Sequence, residues 1–198
     1  MPRAGSQALR LTRDTRGVAA IEFAIVLPIF MTLMVGLLDV GQNIYAKAIL
    51  NGAVEQAARD SALETGDTTL ADKFVEDTVG PILPGMTITS TRKSYFDFAD
   101  MGRPERWNDS NGNGTCDNNE AYTDENQSGS WNDEIGSDGN GGASDVVIYT
   151  VTVRYRTAFP VPLMPDIWNE RKLESTAVRK NQPFANQPKY ASTAGVCA

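Results

Sequence analysis

The chain has 198 residues, a formal net charge of −7 and a pI of about 4.6. That length allows one modest domain plus an anchor, and the acidic balance excludes nucleic acid as a partner, since no basic face is available for phosphate contacts. With no histidine and only two cysteines, Ser/His and Cys/His catalytic pairs and zinc sites of four cysteines, or of two cysteines and two histidines, are excluded, so the chain is read as a non-enzyme.

Residues 1–17 form a basic leader, with Arg3, Arg10, Arg13 and Arg16 set against a single acid, Asp14. Residues 18–38, VAAIEFAIVLPIFMTLMVGLL, follow without a strong break. As a helix they extend about 31 Å, which matches a hydrocarbon core of ~30 Å. A secretory signal would have a shorter apolar region ending in a small-x-small cleavage site, so 18–38 is expected to span a membrane. The arginines before it, against Asp39 and a lone Lys47 after it, place the N-terminus in the cytoplasm and the rest outside. Pro28 predicts a tolerated kink. Glu22 has two readings on physics alone. One is a snorkelling carboxylate at the cytoplasmic boundary, helped by the helix N-terminus; the other is a charge held in the span for a partner.

Arg16-Gly17-Val18-Ala19-Ala20-Ile21-Glu22-Phe23 joins a basic leader to a glycine and an apolar helix with Glu at its fifth position. This arrangement resembles the prepilin-peptidase processing site of type IV pilins. With Ala24-Ile25-Val26-Leu27-Pro28 following, it is similar to the TadE-like pseudopilins of tight-adherence (Flp, type IVb) pilus systems. The resemblance implies cleavage between Gly17 and Val18 by a prepilin peptidase. The new α-amine at Val18 would be largely cationic at neutral pH. Glu22, one turn on, would pair with such an amine, its own or a neighbour's, and the resemblance favours the neighbour as a register device in assembly. It further implies a bacterial inner-membrane protein, single-pass, with a periplasmic or extracellular C-terminal domain. Its partners would be other pilins or pseudopilins and the tight-adherence assembly machinery.

Residues 39–66 keep helical periodicity. Leu50, Val54, Ala57, Ala58 and Ala62 form an apolar stripe, Glu55, Arg59 and Asp60 lie off it, and Gly66 is a stop signal. Residues 67–198 are expected to form an extracytoplasmic α+β domain. A short helix is predicted over Thr69–Val79, broken by Pro81 and Pro84. Strands are predicted over Met86–Phe98, over Asp145–Thr157 with Val147, Tyr149, Val151, Val153 and Tyr155 on one face, and over Lys172–Arg179. Ala177–Phe184 is similar to the end of the family's strand–turn–strand region, with Gln182 where an acid is expected. The fold expected is therefore α+β: a long transmembrane-plus-stalk helix packed on a small antiparallel sheet, with a calcium-type loop inserted.

The insert, residues 107–145, holds nine acids and no Lys or Arg. Composition alone predicts a disordered, self-repelling acidic loop. The spacing argues for more. Asp109, Asn111, Asn113, Gly114, Asp117 and Glu120 occupy positions 1, 3, 5, 6, 9 and 12 of the calcium loop D-x-[DN]-x-[DN]-G-x5-E. Alternate short oxygen-bearing side chains suit a cation that takes six to eight oxygens, Thr115 offers its backbone carbonyl, and Glu120 can bind with both oxygens. A degenerate copy begins fifteen residues later with Asp124, Asn126, Ser128 and Gly129. It has Ile135 at position 12, with Asp133 and Glu134 beside it. Only Ala121–Thr123 separate the loops, too few for the helices of a paired EF-hand. Cys116 and Trp131 both hold position 8, where an inward-facing residue can bridge the loops. Cys116 and Cys197 are either a disulfide of an oxidising compartment or two unrelated thiols. Two functions are carried forward: a structural pseudopilin of a tight-adherence pilus with a calcium-stiffened exported domain, and an uncleaved single-pass membrane protein with a calcium-dependent binding domain.

Overall fold

The computed structural model describes residues 16–158, 170–184 and 192–197. Most of the basic leader, residues 1–15, lies outside the described residues. The chain divides into two compact units, Met1–Ile44 with Thr157–Glu170, and Tyr45–Arg156 with Arg171–Ala198.

In the first unit the described residues are mainly the N-terminal part of helix α1 (Arg16–Ser61), which runs through Pro28 unbroken. The Thr32 hydroxyl donates to the Pro28 carbonyl at 2.8 Å. The side chains of Ile21, Phe23, Ile25, Val26, Ile29 and Leu33 are all exposed. The helix is long and apolar enough to cross a membrane, and none of its most apolar stretch is buried within the chain. An apolar surface of this extent, bare of protein, suggests membrane anchoring.

In the second unit the remainder of α1 packs into a core. Ala46, Leu50, Ala53, Val54, Ala57 and Ala58 are buried together with Val75, Val79, Leu83, Tyr149, Val151 and Val153. The small side chains let the helix backbone approach its neighbours closely, while Leu50 and Val54 fill the space between. The expected stripe is thus buried, with Ala62 also inside. The helix, however, ends at Ser61 and not at Gly66. Residues after Ser61 leave the helix through tight turns, Ala62 N–H to Arg59 C=O and Gly66 N–H to Leu63 C=O. A Cβ on Gly66 would lie 2.7 Å from the Asp60 and Ser61 carbonyl oxygens, so glycine is required there for close approach.

Helix α2 (Thr68–Val79) starts where Asp67 caps it, accepting from the Thr69 and Leu70 amides. The main sheet has four strands in the order β3-β1-β4-β5: β1 (Thr87–Tyr95), β3 (Ser137–Asp138), β4 (Val146–Arg156) and β5 (Glu170–Lys180). β1 pairs antiparallel with β4 from Thr87↔Arg154 to Tyr95↔Val146. The alternation read in β4 holds: Val147, Tyr149, Val151, Val153 and Tyr155 are all buried. β1 is shorter than expected, because Asp97 caps a 3-10 turn at Phe98–Asp100. A second, two-stranded sheet was not foreseen. β2 (Ala121–Asp124) pairs antiparallel with β6 (Thr193–Val196), bringing the C-terminal segment onto the acidic insert.

Candidate functional site: the acidic insert

The insert is folded, and flanking cations answer part of its charge. Arg103 makes a forked ion pair with Glu125 (2.9 and 2.7 Å) and bonds Asp100 at 2.9 Å. Lys93 and Tyr95 on β1 both bond Glu134. The hydrogen bond from Arg103 holds the Glu125 carboxyl below the usual carboxylate range, and that from Lys93 does the same for Glu134. Two of the nine acids, Glu125 and Glu134, are thus paired with cations from neighbouring segments, which reduces the expected self-repulsion.

In loop 1 (residues 109–120) the Asp109 carboxylate accepts the Gly112 and Asn113 amides on Oδ1 (2.7 and 3.1 Å) and the Gly114 amide on Oδ2 (3.0 Å). Gly114 adopts φ +76°, so the left-handed backbone at position 6 suits glycine. Asn111 Oδ1 accepts from the Asn113 amide and Asn113 Oδ1 from the Thr115 amide. The amide nitrogens of Asn111 and Asn113 reach the two oxygens of Asp117 at 2.8 and 3.0 Å. The side chains at positions 3, 5 and 9 therefore converge. An amide oxygen has two lone pairs, so each Asn Oδ1 can accept its N–H and still offer a pair to a hard cation. Glu120 is buried, and both of its oxygens are engaged by the loop: Oε1 by the Ser110 and Asn111 amides (2.7 and 3.3 Å), Oε2 by the Asp117 amide (3.4 Å). Among the described residues no group of three or more His, Cys, Asp or Glu side chains could by itself hold a metal ion. Any cation here would have to draw on Asn111, Asn113 and backbone oxygens as well as on Asp109 and Asp117.

Loop 2 (residues 124–135) repeats the pattern. Asp124 accepts the Ser128 and Gly129 amides (3.0 and 2.8 Å), and Asn126 Oδ1 accepts the Ser128 amide at 3.0 Å. The Asn126 amide and the Ser128 hydroxyl both donate to Asn132 Oδ1. Ile135 lies buried with Tyr95 and Val146 in a small apolar cluster, and Glu134 is taken by Lys93 and Tyr95. A cavity of about 370 Å³ opens on Asn126, Ser128 and Asn132.

The two residues at position 8 do not join the loops to each other, contrary to expectation. Cys116 is disulfide-bonded to Cys197, with Cα atoms 5.7 Å apart. Trp131 meets Trp107 edge-on at 5.2 Å and donates its indole N–H to the Glu105 carbonyl. What joins the loops is backbone: the Asn108 amide bonds Ala121 C=O, the Thr123 amide bonds Arg106 C=O, and Trp107 and Tyr122 form a bridge between them. Strand β2 occupies the interval where an EF-hand pair would need helices.

The processing residues are simpler. Gly17 and Val18 lie in the first turn of α1, and Val18 and Glu22 are exposed. A Cβ on Gly17 would meet nothing within 4 Å, so packing among the described residues gives no reason for glycine.

Residues 17–59 match the family model described as TadE-like protein. The match opens on Gly17, covers the apolar span and stops two residues before the end of α1. The matched segment thus excludes α2, both sheets and the acidic insert. No curated protein matches the chain, and no solved structure does.

Proposed function

We propose that this chain is a minor pilin or pseudopilin of a tight-adherence type IVb pilus, cleaved between Gly17 and Val18 and held in the inner membrane by residues 18–38. The observation that carries this reading is the TadE-like match beginning at Gly17 and containing Glu22. It is supported by a glycine that packing among the described residues does not require and by an apolar helix stretch that those residues leave uncovered. Glu22 sits one turn after Val18, within reach of a neighbouring subunit's new α-amine, and a charge in lipid is tolerable when paired. The exported domain carries structural calcium in loop 1 through Asp109, Asn111, Asn113, the Thr115 carbonyl and Asp117, with Glu120 closing the loop, and in loop 2 through Asp124, Asn126 and Ser128. Calcium at ~10⁻⁴–10⁻³ M outside the cell would suffice for such modules.

A second reading is favoured by one observation: the match stops at residue 59 and leaves the insert-bearing domain outside it. On that reading the chain is an uncleaved single-pass protein whose calcium-loaded domain recognises an external partner. N-terminal sequencing of the membrane-extracted protein decides between them. Val18 as first residue is expected for the pseudopilin, whereas Met1 or Pro2 overturns it.

A further inference from the structure

Glu105 precedes loop 1 by four residues, as Glu120 precedes loop 2 by four. It lies outside the calcium motif, yet its side chain is fully buried. Its Oε1 accepts the Glu125 and Asn126 amides at 2.8 and 3.3 Å, and its Oε2 accepts the Asn132 amide at 3.0 Å. Those amides belong to positions 2, 3 and 9 of loop 2. Glu120 takes the amides of positions 2, 3 and 9 of loop 1. The backbone agrees: the Glu105 amide donates to the position-9 carbonyl of loop 2 (Asn132, 3.0 Å), and the Glu120 amide to that of loop 1 (Asp117, 2.9 Å). Between the two glutamates and their loops, residues 106–108 and 121–123 pair antiparallel, 106 with 123 and 108 with 121, so the two halves are related by a local twofold.

We propose that Glu105 is the closing carboxylate of loop 2, supplied from ahead of loop 1, so that loop 2 is a complete second calcium loop despite Ile135. The proposal rests on the calcium reading of the loops and adds to it the residue that makes the second one whole. The role is positional. A carboxylate that collects three loop amides fixes the backbone that carries Asp124, Asn126, Ser128 and Asn132, whose polar groups already meet: Asn126 and Ser128 donate to Asn132 Oδ1, and Asp124 accepts the Ser128 amide. Charged acceptors of this kind form the stronger class of hydrogen bond, and a buried one is costly to lose. The arrangement also interlocks the loops, because each closing glutamate is anchored on the strand segment that leads into the other loop.

The test is calcium stoichiometry on the full-length protein in detergent, by calorimetric titration with calcium alone, for wild type, Glu105→Gln, Glu120→Gln and Asn126→Ala. Terbium luminescence sensitised by Trp131 reports on loop 2 in parallel. Two ions per wild-type chain are expected, with Glu105→Gln and Asn126→Ala each retaining one and losing the Trp131-sensitised signal, and Glu120→Gln retaining the loop 2 ion. Asn126→Ala leaves every bond of Glu105 to the Glu125 and Asn132 amides in place, so it reads loop 2 even if Glu105→Gln does not fold. One ion in wild type that is lost in Glu120→Gln but kept in Glu105→Gln and Asn126→Ala overturns the role of Glu105 while leaving calcium in loop 1. No ion in any protein overturns the calcium reading and this proposal together.

Discussion

Arg92 on β1 and Asp72 on α2 form a paired contact, Nη2 to Oδ1 at 2.7 Å and Nη1 to Oδ2 at 3.0 Å, with the guanidinium 4.1 Å from the Tyr149 ring centroid. The Tyr149 hydroxyl (2.6 Å) and the Ser90 hydroxyl (2.9 Å) donate to the same carboxylate. This cluster fastens α2 to the sheet where the Arg92 side chain is only 9% exposed. Burial pushes the Asp72 carboxyl up, but the bonds from Arg92, Tyr149 and Ser90 outweigh it and hold it below its usual value.

Asp72→Asn is therefore expected to cost about 1–3 kcal/mol, since it leaves a nearly buried guanidinium without its charge partner. Chemical denaturation of the two proteins measures it. The lowered carboxyls of Asp72, Glu125 and Glu134 also set a pH dependence. A group lowered in the folded state stabilises it above the unfolded value, about pH 4, and that stability is lost as pH falls through the lowered value. Wild-type denaturation midpoints should fall below about pH 4, and less steeply in Asp72→Asn. An equal slope in the two would remove the assignment to Asp72.

Asn181 donates its side-chain amide to the carbonyls of Asn140 (2.7 Å) and Gly142 (2.9 Å), and Asn140 in turn bonds the Ser61 carbonyl at the end of α1. Asn181→Ala leaves two carbonyls without that donor in a buried setting. A destabilisation of about 1–3 kcal/mol is expected, with faster hydrogen exchange confined to the insert and the end of α1. Exchange that rises evenly across the sheet would point to another cause.

The Cys116–Cys197 bond closes a chain separation of 81 residues. Removing a bridge of that span costs about 2–5 kcal/mol. Reduction, or Cys197→Ser, should lower the melting temperature and release β6 to proteolysis before the main sheet. Co-operative loss of β6 and β4 at the same protease concentration contradicts this.

If calcium occupies the insert, binding is linked to folding of loops rich in carboxylates. Limited proteolysis between residues 107 and 145 should slow in calcium and quicken in chelator. Cleavage rates that do not change between the two conditions sink the calcium reading.

Glu22→Ala should leave membrane insertion intact and impair assembly into a fibre, because the helix gains hydrophobicity but loses the charge proposed to set register. Membrane fractionation and counting of surface pili test the two halves separately. Normal piliation in the variant would exclude the register role.

Sequence by itself determined the features that are local or periodic. A long, mostly apolar composition marked 18–38 as helical, a repeat near one helical turn marked Leu50, Val54 and Ala57 for the core, and strict alternation placed Val147 through Tyr155 on one face. The spacing of Asp109, Asn111, Asn113 and Gly114 was also legible, because one short loop carries all of its own signals. The tertiary structure alone decided what depends on residues far apart in the chain. The helix ends at Ser61, where Asn140 reaches its carbonyl, and no local stop signal marks that position. Strands β2 and β6 are four residues each, too short for alternation to show, and they exist through pairing with each other. Loop 2, with Ile135 at its own twelfth position, has three of its amides taken by Glu105, nineteen residues ahead of its first aspartate. Only the folded backbone, by pairing 106–108 with 121–123, could carry that carboxylate to it.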